Sequence, residues 1–315
     1  MTLEIRGVTK RFGALVANDA ISLSVAQGEV LALLGENGAG KTTLMNILFG
    51  HYTADAGEVL VDGTALPPGD TRAAIAAGVG MVHQHFALAD NMTVLENITL
   101  GTESLWSWRA DTAAARRRIR EMADAYGLAV DPDRRIDELS IGEKQRVEIL
   151  KALFRDARIL ILDEPTSVLT PQEADRLFET LRAMTAEGLS VIFISHKLHE
   201  ILAISDRVTV LRRGAVVGTV ATAEADRESL AEMMVGHKVV RPRVEHLEPG
   251  SPVVELAGVT VTGDGGARLL DGVTLTVRER EIVGLAGVAG NGQSTLAALL
   301  SGTLAPESGA RVPLS

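Results

Sequence analysis

The segment Gly35-Glu36-Asn37-Gly38-Ala39-Gly40-Lys41-Thr42 constrains this chain more than any other. Its fixed positions are glycine, glycine, lysine and a hydroxyl residue. The apolar run Val30 to Leu34 precedes it and the helix-like stretch Lys41 to Phe49 follows. A strand, a glycine-rich turn and a helix start in that order are the context this motif requires. Glycines let backbone N–H groups converge on phosphate oxygens, and the helix N-terminus adds positive potential. Lys41 is placed to reach β- and γ-phosphates, and the Thr42 hydroxyl to ligate Mg²⁺. Gly35, Glu36, Asn37, Gly38, Ala39, Gly40, Lys41, Thr42 and Thr43 therefore form the candidate nucleotide-binding set. The alternative, a glycine-rich turn that binds nothing, leaves the lysine and the hydroxyl unexplained.

A second site signal is the run Ile159-Leu160-Ile161-Leu162-Asp163-Glu164, an apolar strand ending in two carboxylates. On a parallel sheet such a strand is buried, and its C-terminal end faces the ligand crevice. Asp163 is then placed to hold Mg²⁺, and Glu164 to orient and deprotonate an attacking water. Further strand-like runs are Gly80 to Val82, Val191 to Ile194 and Val208 to Leu211. Helix-like segments are Thr112 to Tyr126, Gly142 to Phe154, Pro171 to Met184 and Leu198 to Ile204. This alternation predicts an α/β domain with a mostly parallel sheet. The stretch from about residue 88 to 154 breaks the alternation and reads as an inserted subdomain that is helical throughout.

At 315 residues, the length suggests about two domains. Residues 237–252 hold Pro242, Pro249 and Pro252 among charged residues and read as a linker. Beyond it the sequence repeats. The segment from Glu29 through the loop to Leu44 aligns without gaps on Glu281 to Leu296, and Gly50 and Gly57 fall on Gly302 and Gly309. Residues 1–236 thus form a complete domain, and 253–315 the opening of a second copy. There Gln293 replaces Lys41, and an uncharged amide cannot neutralise phosphates as lysine does. The second loop is expected to bind nucleotide weakly, to hydrolyse little, or to be structural only.

Composition narrows the partners. A net charge of −10 and a pI near 5.3 argue against nucleic-acid binding. The run Arg116 to Arg118 reads as a solvated helix face. The absence of cysteine excludes disulfides and thiol nucleophiles. The first residues show no signal peptide, and no apolar run approaches the ~18 residues of a membrane span, so a membrane role requires a partner. At 3% aromatics the core must be aliphatic.

With these residues in view, the chain resembles the ATP-binding subunits of ABC transporters. Leu139-Ser140-Ile141-Gly142-Glu143-Lys144-Gln145 resembles the family's signature, departing at Ile141 and Glu143 but keeping Ser140 and Gly142. Ser140 and Glu143 also form a capping box ahead of a helix, and both readings can hold. The resemblance implies that Gln84 touches the metal and senses the membrane partner, that His196 contacts the γ-phosphate, and that Phe12 stacks on adenine, a core phenylalanine being the rival. His83 and His85 flank Gln84 and are taken as loop histidines rather than a metal pair. Thr170 stands where the family has aspartate and is better explained as a cap of the helix beginning at Pro171.

The resemblance implies a P-loop NTPase fold with a mostly parallel core sheet, an antiparallel β subdomain and the helical insertion. It also implies ATP and Mg²⁺ as cofactors, and a place on the cytoplasmic face of a membrane. Implied partners are permease subunits, an extracytoplasmic solute-binding protein or lipoprotein, and a second ABC domain. The wording around Met81 to Phe86, Val147 to Leu153 and Val168 to Glu173 is similar to nucleoside importers, with the ribose-type branch as runner-up. Two other classes stay open: an ABC ATPase working on ribosomes or DNA, and a nucleotide-binding module that does not hydrolyse. Because the family closes one domain's phosphate loop on another's signature, either the chain is a fragment or two chains pair through their first domains.

Overall fold

The computed structural model describes residues 2–84, 86–102, 112–238, 247–263, 266–288 and 290–313. It divides into two compact units, residues 1–240 and 241–315.

The first unit runs β1 (Leu3–Phe12), β2 (Leu15–Val25), β3 (Val30–Leu34), α1 (Lys41–Leu48), β4 (Ala56–Val61), β5 (Thr64–Ala65), α2 (Thr71–Ala76), β6 (Val79–Val82), α3 (Val94–Thr99), α4 (Thr112–Tyr126), α5 (Ile141–Phe154), β7 (Ile159–Asp163), α6 (Pro171–Ala186), β8 (Ser190–Ile194), α7 (Leu198–Ile204), β9 (Arg207–Arg212), β10 (Ala215–Ala221) and α8 (Arg227–Val235). Six strands form the central sheet in the order β10-β9-β3-β8-β7-β6. All neighbours in it are parallel except β10, which turns back on β9. A separate antiparallel sheet has the order β2-β1-β4-β5.

Every residue of β3, β7 and β8 is buried, because helices or strands cover both faces of the central sheet. The alternation along β7 shows how. Leu160 and Leu162 pack with Val147, Leu150 and Leu181 of α5 and α6, whereas Ile159 and Ile161 pack with Leu44, Met45 and Leu48 of α1. Burying one such side chain is worth about 1.5–3 kcal/mol, so this sheet anchors the loops at its rim.

The insertion is only partly helical. Non-helical backbone at 127–135 separates α4 from α5, and residues 86–93 precede α3 as turn, coil and an isolated bridge. Thr93 pairs with Arg135 as an isolated β-bridge, and Val94 N–H donates to Arg134 C=O at 2.9 Å. These extended segments bond each other, which is why the stretch is not continuous helix. In α4, Arg116 pairs with Asp133 and Arg118 with Asp156, Arg117 and Arg118 are exposed, and Ile119 and Ala123 face the core, so the arginine run lies on the helix's outer face.

In the second unit β11 (Pro252–Thr262), β12 (Arg268–Arg278) and β13 (Ser308–Pro313) form a sheet ordered β12-β11-β13, the counterpart of β2-β1-β4. Helix α9 (Gln293–Ser301) places Leu296 and Leu299 against Leu256, Val259, Val261 and Leu270. The segment aligned with β3 is not a strand here, and Ile282 is 97% exposed. In the first unit β3 is held by β8 and β9, and the described residues of the second unit contain no counterparts of those strands.

Candidate nucleotide-binding and hydrolytic site

Parallel topology gathers the site. The loops leaving the C-terminal ends of β3, β6, β7 and β8 carry the phosphate loop, Gln84, Asp163-Glu164 and His196 respectively. They open on one cleft of about 680 Å³, lined by Phe12, Asn37 to Thr43, Gln84, Asp163, Glu164 and His196. A crevice at strand ends is where open α/β sheets bind ligands.

The phosphate loop is pre-shaped. Gly38 and Gly40 take φ of +81° and +98°, in the left-handed region that favours glycine. At Gly40 a β-carbon would also lie 2.3 Å from Ala17 C=O and 2.7 Å from Asn18 Nδ2. The loop is thus pressed against β2. Asn18 is fully buried there and its Nδ2 donates to Gly40 C=O at 3.0 Å. Lys41 is 6% exposed as a residue, and its ammonium donates to the carbonyls of Gly35 at 2.7 Å and Glu36 at 3.0 Å. Burial lowers its pKa, opposed by Glu164 and Asp163. A cation held by two neutral carbonyls in a buried place is ready to exchange them for phosphate oxygens.

Glu164 is the hub of the other wall. It is a non-glycine residue at φ +48°, a conformation that costs of order 1–3 kcal/mol and clusters at active sites. Its N–H donates to Ile194 C=O at 2.9 Å, which fixes the turn leaving β7 to the end of β8. Its Oε1 lies 2.9 Å from His196 Nδ1, and its Oε2 accepts from Gln84 Nε2 at 3.4 Å. Asp163 is buried, and burial first, then the Glu164 charge, raise its carboxyl above the ordinary value, against Lys41 and a hydrogen bond from the Thr42 hydroxyl. The Thr42 hydroxyl, the Gln84 amide oxygen and the Asp163 carboxylate are hard oxygen donors, which fits Mg²⁺. A buried carboxylate of raised pKa beside a second carboxylate is also a place where a divalent cation relieves an electrostatic cost.

Not every sequence candidate joins this cleft. Ser140 caps α5 as half of a capping box with Glu143, and Gly142 packs so closely on Glu173 that a β-carbon would lie 2.6 Å from its Oε1. Neither lines the cleft. Gly35 and Glu36 contribute through the carbonyls that hold Lys41. Thr170 caps α6 in a box with Glu173, with Pro171 at the first helical position, as its sequence suggests. Phe12 is 45% exposed at the cleft and so is not a core residue. His83 stacks on His51 with ring centroids 5.7 Å apart, and burial lowers its pKa. His85 lies outside the described residues. Asn18 had no sequence signal, since a lone asparagine in a strand reads as surface.

Comparison with known proteins bears on the family and the fold. Residues 18–167 match the family described as ABC transporter. A solved ATP-binding cassette of an ABC transporter, in its ADP conformation, superposes with a TM-score of 0.66 at 25% identity, over 75% of this chain and 100% of that one. The chain carries an ABC ATP-binding domain. It is 48% identical to a glucose import ATP-binding protein of Haloferax volcanii, over 95% of this chain and 60% of that protein. It is 45% identical to a nucleoside import ATP-binding protein of Lactococcus lactis, over 98% of this chain and 61% of that protein. The chain therefore spans about three-fifths of the length of these curated relatives.

Proposed function

We propose that this chain is the ATP-binding and ATP-hydrolysing part of an ABC importer, working at the cytoplasmic face of a membrane through permease subunits. The observation that carries the hydrolytic reading is Glu164, held in the left-handed region and contacted by both His196 and Gln84, in one cleft with Lys41. Among the described residues five other non-glycines share that region, so what sets Glu164 apart is the conformation together with its contacts to His196 and Gln84 in the cleft.

In this reading the backbone N–H groups of Asn37 to Thr43 cradle the phosphates, and Lys41 leaves its two carbonyls to neutralise β- and γ-oxygens. Thr42, Gln84 and Asp163 would hold Mg²⁺, which would supply neutralisation of phosphate charge. Glu164 orients the attacking water and takes its proton. His196 donates Nδ1–H to the carboxylate and holds it aimed. Phe12 stacks on the adenine ring. Ser140 and Gly142 serve a second domain's nucleotide across an interface, which accounts for their distance from this chain's own cleft. That second domain is either the remainder of a longer protein or the first domain of another copy.

For the cargo, the 45% identical nucleoside relative and the wording around Gln84 and Thr170 support a nucleoside. An extracytoplasmic solute-binding protein would deliver it. The second reading, a simple sugar, is favoured by the 48% identical glucose relative. No helix among the described residues is long and apolar enough to cross a membrane.

The test is Mg²⁺-dependent ATP hydrolysis by the purified chain over a range of protein concentrations, with Glu164→Gln alongside. We expect specific activity that rises with concentration and falls by about 10²–10³ in the variant, within the range a positioned general base contributes, with ATP binding retained. Turnover unchanged by Glu164→Gln would remove Glu164 as the base.

A further inference from the structure

Glu200 lies on α7 outside the cleft lining, yet it is only 3% exposed. A buried carboxylate is costly unless it is paired and hydrogen-bonded, and an apolar residue would pack there without that cost. Its partners suggest a reason for keeping it. Oε2 accepts from the Thr166 hydroxyl at 2.6 Å and from the Ser195 hydroxyl at 3.0 Å. Oε1 meets the Lys197 ammonium at 3.0 Å. Ser195 Oγ in turn accepts from Lys197 N–H at 3.0 Å, and Lys197 Nζ donates to Thr166 C=O at 3.2 Å.

These contacts tie together two loops from different strands. Thr166 stands two residues beyond Glu164, on the turn leaving β7. Ser195 immediately precedes His196, on the turn leaving β8. With the 2.9 Å contact between His196 and Glu164, the bonds close a ring: Glu164 to Thr166 along the chain, Thr166 to Glu200 to Ser195 through side chains, Ser195 to His196 along the chain, and His196 back to Glu164. Outside this ring, the Glu164 N–H bond to Ile194 C=O also joins the two turns, and Gln145 Nε2 of α5 donates to Pro165 C=O at 2.7 Å on the first of them.

We propose that Glu200 is a positioning residue that holds Glu164 and His196 in register. The proposal rests on reading Glu164 as the base. Glu200 touches no substrate; it fixes the base and the histidine through Thr166 and Ser195. Lys197 keeps the Glu200 charge paired inside the protein.

Imidazole ¹⁵N spectra of the full chain, with the His196 signal assigned by His196→Ala, read the His196–Glu164 bond whether or not ATP is turned over. We expect Glu200→Ala to move that signal toward free imidazole. Its kcat should fall about tenfold, a part of the 10²–10⁴ that a placed base supplies, while ATP affinity changes less than about twofold. Glu200→Gln retains an oxygen acceptor for the two hydroxyls and should restore part of both. The exposed control Glu224→Gln should leave both unchanged. An unmoved His196 signal in Glu200→Ala would overturn the proposal. So would a joint loss of ATP binding, melting temperature and signal, because that marks a packing role. If Glu200→Ala does not fold, Glu200→Gln and Ser195→Ala decide by the same signal. A wild-type chain that binds ATP but never hydrolyses it would sink the hydrolytic reading, and the His196 signal would still decide whether Glu200 holds the pair.

Discussion

Phe12 shows what a single side chain contributes when it is not part of the core. Its ring is edge-on to Tyr52 with centroids 5.7 Å apart, and the Lys10 ammonium sits 5.4 Å from its centroid. It lines the cleft beside Gly38 to Thr43 and is nearly half exposed, so its apolar surface is unused without a ligand. Stacking of a base on an aromatic ring is worth about 1–3 kcal/mol. Phe12→Ala should therefore weaken ATP binding about tenfold, measured by titration calorimetry, with an unchanged melting temperature. Phe12→Trp should retain binding, and adenine and guanine nucleotides should suffer alike from the alanine change because stacking does not read hydrogen-bond edges. A fall in melting temperature that tracks the loss of affinity would mean that the ring serves packing instead. Residues of the phosphate loop and the Asp163-Glu164 pair were legible in the sequence because their spacing encodes local chemistry. Asn18 and Glu200 were not, because their roles consist of contacts to Gly40, Thr166 and Ser195 that exist only once distant strands meet.

Among elements, the join between α5 and the loop after β6 couples the helical insertion to the cleft. Glu148 of α5, 5% exposed, accepts from Ala87 N–H at 2.6 Å, and Lys151, one turn on, donates to Ala87 C=O at 2.8 Å. Two side chains of one helix thus grip the two peptide groups that flank Ala87, three residues beyond Gln84. Burial raises the Glu148 carboxyl above its ordinary value, against Lys151, the Ala87 N–H and Arg155. Folded protein therefore keeps a proton that the unfolded chain has already lost. The stability this proton linkage adds is fully present below the ordinary glutamate range and declines as pH rises through the raised value. Glu148→Gln keeps the acceptor and removes the titration. Its melting temperature relative to wild type should become more favourable as pH rises above the ordinary glutamate range, at roughly 2–4 °C for each kcal/mol. A pH-independent difference in scanning calorimetry would show that this carboxyl does not carry the linkage. Elements were unevenly legible for a related reason. Strands β3, β7 and β8 stand out as short apolar runs because both their faces are buried. Strands β1 and β2 are half-exposed, and register shifts between Ile5 and Arg11 break the period-two pattern that would have announced them. In the insertion, polar segments that bond each other at Val94 and Arg134 carry no periodic signal, which hid the breaks between its helices.

At the scale of the whole molecule, two units built on one plan differ at the places where a nucleotide would be held. Gly40 and Gly292 both cap a helix in the left-handed region, and Gly50 and Gly302 follow those helices with φ of +81° and +80°. Gln293 Nε2 donates to Val288 C=O at 3.0 Å, the same kind of bond that Lys41 makes to Glu36. The scaffold of the loop is thus repeated while its charge is not. Where the first unit buries Asn18 against Gly40, the second sets Leu270 near Gly292, so that an amide donor is replaced by a methyl group. Phosphate binding depends on a full positive charge and on donors aimed at the oxygens, and a neutral amide supplies neither charge nor the same reach. The chain should accordingly bind one ATP, and Lys41→Met should reduce that to none. Equilibrium binding with a fluorescent ATP analogue on the full chain reads the stoichiometry directly, and circular dichroism confirms that the variant is folded. Ser294 is the second unit's counterpart of Thr42, and residual binding by Lys41→Met that a further Ser294→Ala substitution removes would mean that the second loop holds nucleotide despite its glutamine. Complete loss in Lys41→Met alone would mean that the repeat has kept the fold of the loop and lost its ligand.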